Sequence, residues 1–457
     1  TVPDIIFRLA DLSIERIIAE LVDNSLDASA KKVHVDFFDV DKKKGDIGLA
    51  VYDNGDGFTS DEKLFDAMEI EVKDNDKGKG DIGKYHVGMK LAPLSKYEHL
   101  YLVSIIGGKP WICRAFNAAK TGKTFDMDDE SHINPTKPIP YISKDKSIPK
   151  SVHKKLKPFT KPKSCEWTTC VIVEKKWRNL LEDGYDAATF MLNGKKYPKH
   201  VTQYLGITYQ LYFEDDDELK MTVGSNQEVE PLDPFWTQYT PTSTDKMVKE
   251  LEEKLSKSNG SKEKQNVSNM IEAGKAMKKF GTFEGKTYAS TVLNGLEITP
   301  YVLPVDISRK RIRNHMDKGR GEETPAWFKA SVNSGSNLLK SDNVAGFFFY
   351  RGKRLITCGL FYDLNVISND ANAIRVKVLF PEELDEHMEV HPNKHKMDSF
   401  SDEAWEEILT GLGLKTGSSD YAVPFNQKVP FFDPEHKSLP KKKKHTGGIF
   451  KPSDKAH

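Results

Sequence analysis

The chain has 457 residues, of which 30% are charged and 38% are hydrophobic, and no apolar run is long enough to span a membrane. We therefore expect no membrane partner, and the length suffices for two or three domains. The 68 basic residues balance the 68 acidic ones, so no overall basic field indicates a nucleic-acid partner. Any such binding would need local basic patches.

The four cysteines form neither a Cys-x-x-Cys pair nor a finger-like arrangement with histidines. We therefore expect no zinc site, and an intracellular location that keeps thiols reduced, nuclear in a eukaryote and cytoplasmic otherwise. The cysteines are Cys113, Cys165, Cys170 and Cys358.

Residues 13–28 predict an amphipathic helix with three polar groups on one face. Ile14, Ile17 and Leu21 recur at helical spacing and form its buried stripe. The polar groups stand at i, i+4 and i+7, and a carboxylate one turn from an amide suits a general base beside a metal-bound phosphate. A solvated helix face would show the same spacing. The three polar residues are Glu20, Asn24 and Asp27.

Two short strands, predicted at 33–38 and 47–52, lead into the sequence Asp-Asn-Gly-Asp-Gly-Phe at 53–58. The Asn-Gly and Asp-Gly pairs tolerate positive φ and let the backbone approach a ligand closely, although a plain hairpin turn would need none. A short helix over 60–70 comes next. The polar, glycine-rich residues 73–83 then predict a mobile loop.

Glycines of this loop lead into a second predicted helix near 84–92. Free N–H groups and the helix dipole at such a start favour a phosphate, although glycine-rich loops also join elements without binding anything. Strands are predicted at 99–107, 110–116 and 167–173. Residues 137–163 carry nine lysines, five prolines and one acid, which predicts an exposed basic connection that is either a solvated linker or a phosphate-backbone contact.

The second half of the chain predicts a mixture of helices and strands. Residues 196–215 predict a helix that runs into a strand, and 245–280 an inserted helical hairpin, either a decoration or a functional arm. Strands are predicted within 283–306 and 344–380, the latter including a hairpin with an Arg-Gly turn at 347–356. An amphipathic helix near 402–413 precedes a tail from 415, rich in Gly, Ser, Pro and Lys, that is expected to pack little.

Three signals occur in a fixed order: Glu-x-x-x-Asn-x-x-Asp-Ala from Glu20, Asp-Asn-Gly-Asp-Gly-Phe from Asp53, and the glycine loop that enters a helix. Together they resemble the Bergerat-fold (GHKL) ATPases, the group of gyrase, heat-shock chaperones, histidine kinases and MutL. The resemblance covers roughly residues 5–175. It implies an α+β architecture, in which an α/β sandwich ATPase domain is followed by a ribosomal S5-like transducer domain.

The resemblance also implies ATP and Mg2+ as cofactors and a role for each matching residue. Glu20 matches the general base, Asn24 the magnesium ligand, and Asp53 the carboxylate that accepts the adenine amino group. Gly57 would let the base approach. Further nucleotide contacts are implied for Asp27, Ala28, Phe58 and Thr169 and, in the phosphate loop, for Gly83, Lys84, Tyr85, His86, Val87, Gly88, Met89 and Lys90.

One position departs from the family pattern, because the loop usually reads Gly-x-x-Gly-x-Gly and this chain has His86 at the middle glycine. The imidazole would either crowd the phosphates, hydrogen-bond the γ-phosphate or serve a structural role. The departure puts the turnover rate in doubt more than nucleotide binding. The preceding residues 73–82 resemble the ATP lid.

A second loop, at 390–398, resembles the corresponding loops of two families within this group, MutL and microrchidia (MORC). Val390-His-Pro-Asn-Lys resembles the MutL loop, in which Lys394 would reach the γ-phosphate, whereas the sequence through Asp398 equally resembles the MORC loop, which uses Lys396. The sequence of the phosphate loop is more similar to that of the MORC family than to that of MutL. A lysine from a second domain would couple nucleotide state to domain angle.

The implied function is an ATP-dependent clamp that forms a homodimer on binding ATP and Mg2+, hydrolyses ATP and acts on duplex DNA or chromatin. The expected domains are the ATPase at 1–215, the transducer at 216–414 and a basic tail at 415–457. Residues 309–313 and the lysines of 137–163 are candidate phosphate contacts. The alternatives are a heat-shock-type or nucleotide-gated protein-assembly ATPase, and a MutL- or topoisomerase-type subunit.

Overall fold

The structure is a computed structural model. It divides the chain into two compact units, one of Thr1–Leu205 with Phe213–Val229 and the other of Gly206–Tyr212 with Glu230–His457. The described residues are 14–41, 46–68, 92–94, 96–117, 133–143, 145–176, 196–225, 227–235, 237, 283–302, 346–360, 374–390 and 400–413, with isolated positions between 249 and 271.

The first unit contains an eight-stranded sheet. Its strands are β1 (Lys32–Asp41), β2 (Asp46–Asp53), β3 (Tyr97–Ile106), β4 (Lys109–Asn117), β5 (Ile133–Pro140), β6 (Thr169–Lys176), β7 (Lys220–Val223) and β8 (Gln227–Glu228). The spatial order is β5-β4-β3-β6-β2-β1-β7-β8, in which β1 and β7 are parallel and the other neighbours antiparallel. The strands predicted from alternation in this half are confirmed. Residues 53–58 do not form a hairpin turn, because β2 pairs with β1 and β6 and the chain continues from 58 into a helix.

Helix α1 (Ile14–Asp27) packs on one face of this sheet, against β1 and β2. Ile14, Ile17 and Leu21 are buried as their spacing predicts. The first unit also contains α2 (Asp61–Asp66), where the Ser60 hydroxyl accepts a hydrogen bond from the Lys63 N–H and so caps the helix. Helix is confirmed over both predicted segments.

The opposite face of the sheet is covered by residues 141–164, which correct the prediction of an exposed basic connection. They form α3 (Lys150–Lys155) and two 3-10 turns, Lys157–Thr160 and Pro162–Ser164. Five apolar side chains of this segment are buried in one cluster with residues of β1–β4 and β6. Most of the lysines therefore occupy the outer side, whereas Lys155 is partly buried and pairs with Asp36 of β1. Strand β5 accepts three prolines because it is an edge strand. The buried residues are Tyr141, Ile148, Val152, Leu156 and Phe159.

Residues 196–215 form two helices, α4 (Lys196–Thr208) and α5 (Gln210–Asp215), so the helix predicted there is confirmed but the strand is wrong, because β7 begins only at Lys220. In the second unit the strands are β9 (Phe283–Glu284), β10 (Tyr288–Ala289), β11 (Glu297–Val302), β12 (Gly346–Arg351), β13 (Arg354–Leu360) and β14 (Ile374–Phe380). Their order is β10-β11-β14-β12-β13, with β9 also pairing with β11.

The hairpin predicted in the second unit is confirmed as β12 and β13, whose turn places Gly352 at φ +56°. Strand β12 also pairs with β14 in parallel. Arg351 at the end of β12 forms a buried, two-bond ion pair with Asp385 (2.8 and 3.1 Å). Helix α6 (Asp402–Gly411) is capped by the Ser401 hydroxyl, as the predicted amphipathic helix requires.

Several predicted features lie outside the described residues: the lid at 73–82, the phosphate loop at 83–90, residues 391–399, the tail and most of 245–280. No helix in the described part of the chain is both long and apolar enough to cross a membrane.

Candidate functional site

The polar face of α1 is partly buried. Glu20 is only 6% exposed, and Asn24 one turn later is half-buried. The Asn24 side-chain N–H donates to the Glu20 backbone carbonyl (2.6 Å), which leaves the amide oxygen as the atom that could bind a cation. Asp27 is half-buried at the end of the helix. The structure therefore brings the three predicted residues onto one face of one helix.

Asp53 is the last residue of β2, and its carboxyl group is buried, with 6% of the residue exposed. One carboxylate oxygen accepts the Gly55 N–H at 3.0 Å, and the other accepts the Ser25 hydroxyl at 3.3 Å. Ser25 comes from α1, so helix and strand together fix the orientation of the carboxyl group. A carboxylate offers about four acceptor positions, and these two bonds use only two of them.

Burial raises the pKa of Asp53 to about 6, because removal from water disfavours the charged form. The hydrogen bonds from Gly55 and Ser25 oppose this effect but do not cancel it. A donor that approached the remaining acceptor positions would stabilise the carboxylate and lower its pKa. Asp53 is therefore a buried acid whose charged form is incompletely compensated.

The loop after Asp53 is held close to α1 and to β6 by its glycines. A Cβ on Gly55 would lie 2.5 Å from the Ala28 carbonyl oxygen, which accepts the Asp56 N–H at 2.9 Å. Gly57 has φ +67°, and a Cβ there would lie 2.5 Å from the Thr168 methyl carbon. Backbone conformation and packing thus both require glycine at 57, and its role in letting the adenine base approach stays a prediction.

A serine in the middle of β3 supports the far side of this loop. The buried Ser104 hydroxyl accepts the Phe58 N–H (3.4 Å) and donates to the Thr168 carbonyl (3.3 Å). The Thr168 N–H in turn donates to the Asp53 carbonyl (2.8 Å), and the buried Thr169 lies opposite Asp53 in the β2–β6 ladder. The predicted residues Asp53, Phe58 and Thr169 therefore converge at one end of the sheet.

Asn54 fixes the start of the loop from the other side. Its side-chain oxygen accepts the N–H groups of Lys31 (2.9 Å) and Lys32 (2.7 Å), where β1 begins. The supporting contacts of Asn54, Ser25 and Ser104 were not predicted from the sequence. The single serine in the largely apolar run 99–107 is the one local signal that pointed to Ser104.

Part of the predicted site lies outside the described residues. This applies to the phosphate-loop residues Gly83, Lys84, Tyr85, His86, Val87, Gly88, Met89 and Lys90, and to Lys394 and Lys396 of the second predicted loop.

Comparison with known proteins identifies the domain type. Residues 12–146 match the family model described as "Histidine kinase-, DNA gyrase B-, and HSP90-like ATPase". One solved structure, titled "Crystal Structure of N terminal domain of a DNA repair protein", is similar at 13% identity and a TM-score of 0.37, over 89% of this chain and 94% of that one. Among curated proteins none matches the sequence. The match shows that residues 12–146 are similar to GHKL-type ATPase domains.

Proposed function

We propose that the chain binds ATP in its first unit, with the Asp53 carboxylate accepting the adenine amino group. The observation that carries this proposal is the buried, incompletely compensated carboxyl group, fixed in orientation by Ser25 and Gly55. A site built around such an acceptor favours a base with an amino donor over one with a carbonyl oxygen at that position. We therefore expect ATP to bind in strong preference to GTP.

We further propose that the polar face of α1 serves the phosphates. The amide oxygen of Asn24 would hold Mg2+, which takes oxygen ligands and offsets the charge of the phosphate oxygens. Glu20, one turn earlier on the same helix, would accept the proton of the attacking water. The burial of Glu20 supports a fixed position for its carboxylate.

At the level of the whole protein, we propose a MORC-like clamp with an S5-like transducer. ATP and Mg2+ would bring two protomers together, and hydrolysis would let them part. Lys394 or Lys396 would contact the γ-phosphate from the second unit, so that the state with and the state without this phosphate differ. Duplex DNA is the proposed partner of the closed dimer. The support for this level is the sequence of the loop at 390–398 together with the ATPase domain.

The test combines ATP turnover with the mass in solution. We compare the unmodified protein with Glu20→Gln, which keeps the size of the side chain but removes the basic carboxylate. The account predicts that turnover falls at least 100-fold while ATP affinity changes less than about threefold, because a general base contributes 10²–10⁴-fold to rate.

Light scattering then measures the mass of each protein in solution, which shows whether it is a monomer or a dimer. The mass of both proteins should double with a non-hydrolysable ATP analogue and Mg2+, and should remain that of a monomer with ADP. Wild-type turnover in Glu20→Gln would contradict the general-base role. A mass that ignores the nucleotide would contradict the clamp and leave an ATP-binding domain.

A further inference from the structure

The segment over the back face of the first sheet is a rigid support for surface charges. Ile148, Val152, Leu156 and Phe159 recur at spacings of four, four and three residues and are all buried. The segment is attached at its centre as well, since the Tyr52 hydroxyl donates to the Lys155 carbonyl (3.0 Å) and the Lys155 ammonium pairs with Asp36. Its outer side therefore has a fixed orientation relative to the sheet.

Four lysines on this outer side form a stripe that alternates with the buried positions. Lys150, Lys154, Lys157 and Lys161 are all exposed, and we call them the basic stripe. Lys150 and Lys154 lie one turn apart on α3, Lys157 begins the first 3-10 turn, and Lys161 lies between the two 3-10 turns, so the four follow one another along the exposed side of the segment. Lys146 and Lys163, also exposed, lie just outside the stripe in sequence.

Little negative charge accompanies the stripe. Residues 146–165 contain no aspartate or glutamate. The preceding Asp145 carries the one nearby negative charge of this segment, which its hydrogen bonds from the Ser147 N–H and hydroxyl stabilise, lowering its pKa. Arg114 adds a further positive charge there, donating to the Ser147 hydroxyl at 3.1 Å. The stripe is thus a local positive surface on a chain with no net charge.

We propose that the basic stripe binds the phosphate backbone of duplex DNA. A row of lysines on a rigid support matches a row of phosphates, and its binding energy would come from counterion release. Residues 146–165 contain no arginine, asparagine or glutamine, the side chains that read base edges with paired hydrogen bonds. The binding is therefore independent of base sequence. This inference rests on the DNA-directed part of the proposed function and supplies its surface.

The stripe and the nucleotide site lie on opposite faces of the same sheet. Neighbouring residues of a strand point to opposite faces, and here Asp53 contacts α1 through Ser25 whereas Tyr52 contacts the α3 segment. DNA on the stripe would thus leave the Asp53 site accessible. Nucleotide and DNA are expected to bind the monomer without competing.

The experiment measures the affinity of the full chain for a fluorescent 30-base-pair duplex across a series of salt concentrations. The triple variant Lys150→Ala/Lys154→Ala/Lys157→Ala is compared with Lys220→Ala/Lys257→Ala/Lys286→Ala, which removes three exposed lysines elsewhere and changes the net charge equally. Alanine keeps the helical turns of the stripe. Each lost phosphate contact lowers the salt slope by about 0.9, so the stripe variant should lose about 2 to 3 in slope and at least tenfold in affinity.

The control variant should keep both the slope and the affinity of the unmodified chain, and two duplexes of unrelated sequence should bind alike. Equal losses in both triple variants would overturn the proposal, since net charge alone would then explain binding. It would also be overturned if the stripe variant lost binding to vesicles of anionic lipid but not to DNA.

ATP binding, measured on the same samples, separates the two proposals. Normal ATP binding without any DNA binding would contradict DNA binding by the basic stripe and leave the proposed nucleotide site unaffected. DNA binding through the basic stripe without ATP binding would contradict the proposed nucleotide site and support the basic stripe as the DNA-binding surface.

Discussion

The two faces of the first sheet differ in what they bury. On the α1 face, Glu20 and the Asp53 carboxyl group are buried, although a carboxylate is costly to remove from water. On the opposite face the segment 141–164 buries apolar side chains, and its described lysines other than Lys155, which pairs with Asp36, are exposed. Both faces therefore bury a carboxyl group. On the back face both oxygens of Glu174 accept hydroxyl hydrogen bonds, from Tyr101 and Ser151, whereas on the α1 face burial raises the pKa of Asp53 to about 6 despite its two hydrogen bonds. Buried acids of this kind indicate a ligand site.

If the back face supplies stability, its core residues should be the most sensitive to truncation. Phe159→Ala should lower the free energy of unfolding by about 3–5 kcal/mol, because the ring is fully buried in the cluster. Urea denaturation measures this change. Ile142→Ala, in the same segment but 64% exposed, is the control and should cost less than about 0.5 kcal/mol. A small loss at Phe159 would restore the view of an exposed connection.

The α1 face should show its cost as a pH dependence of stability. The pKa of Asp53 is about 6 in the folded protein against an ordinary value of 3.8, so the folded state holds this proton more tightly than the unfolded state. The resulting stabilisation is present below about pH 4 and is lost as the pH rises through about 6. The unfolding free energy of the unmodified protein minus that of Asp53→Asn should therefore fall by about 2 kcal/mol between pH 4 and pH 7.

Taking the difference between the two proteins removes the titration of all other carboxyl groups. A difference that stays constant over this pH range would show that Asp53 is not destabilised by burial.

Glycine at position 57 should matter for packing as well as for conformation. Gly57→Ala places a Cβ 2.5 Å from the Thr168 methyl carbon and forces alanine to φ +67°. Gly107→Ala is a matched control, since that glycine has φ +57° but open space around it. The control should cost about 1–2 kcal/mol from conformation alone, and Gly57→Ala at least about 1 kcal/mol more. Thermal denaturation of both variants compares them, and equal losses would remove the packing argument.

The smallest effect is expected at Ser104, which supports the loop without belonging to it. Ser104→Ala removes the acceptor of the Phe58 N–H and should cost about 1–2 kcal/mol. Because the loop would then be held less firmly, ATP affinity should also fall several-fold. Ser164→Ala, whose exposed hydroxyl bonds only the nearby Lys161 carbonyl, should change neither quantity. An unchanged ATP affinity in Ser104→Ala would limit that residue to a structural role.

Sequence patterns predicted the two faces unequally well. The helical period of Ile14, Ile17 and Leu21 and the alternation in β1 and β2 are local, so α1 and its sheet neighbours could be predicted. The segment 141–164 has apolar residues at regular helical spacing, but they stand among many lysines and prolines. The prediction followed the high lysine and proline content instead of the spacing of the apolar residues. The prediction of an exposed connection failed for that reason.

Within the site, the residues of the recognisable motifs could be named from sequence, but their supports could not. Ser25, Asn54 and Ser104 act through contacts with residues that are distant in sequence, for example 46 positions between Phe58 and Ser104. Such contacts follow from strand order, which no local pattern specifies.

The central claim is that the Asp53 carboxylate recognises adenine. The most direct measurement is calorimetric titration of ATP and GTP, with Mg2+ at pH 8, into the unmodified protein and into Asp53→Asn. The account predicts that the unmodified protein binds ATP and strongly prefers it to GTP. Asp53→Asn should bind ATP at least about 100-fold more weakly, as expected for the loss of a buried charged hydrogen bond, without lower stability at this pH. Equal ATP affinity in the two proteins would contradict it.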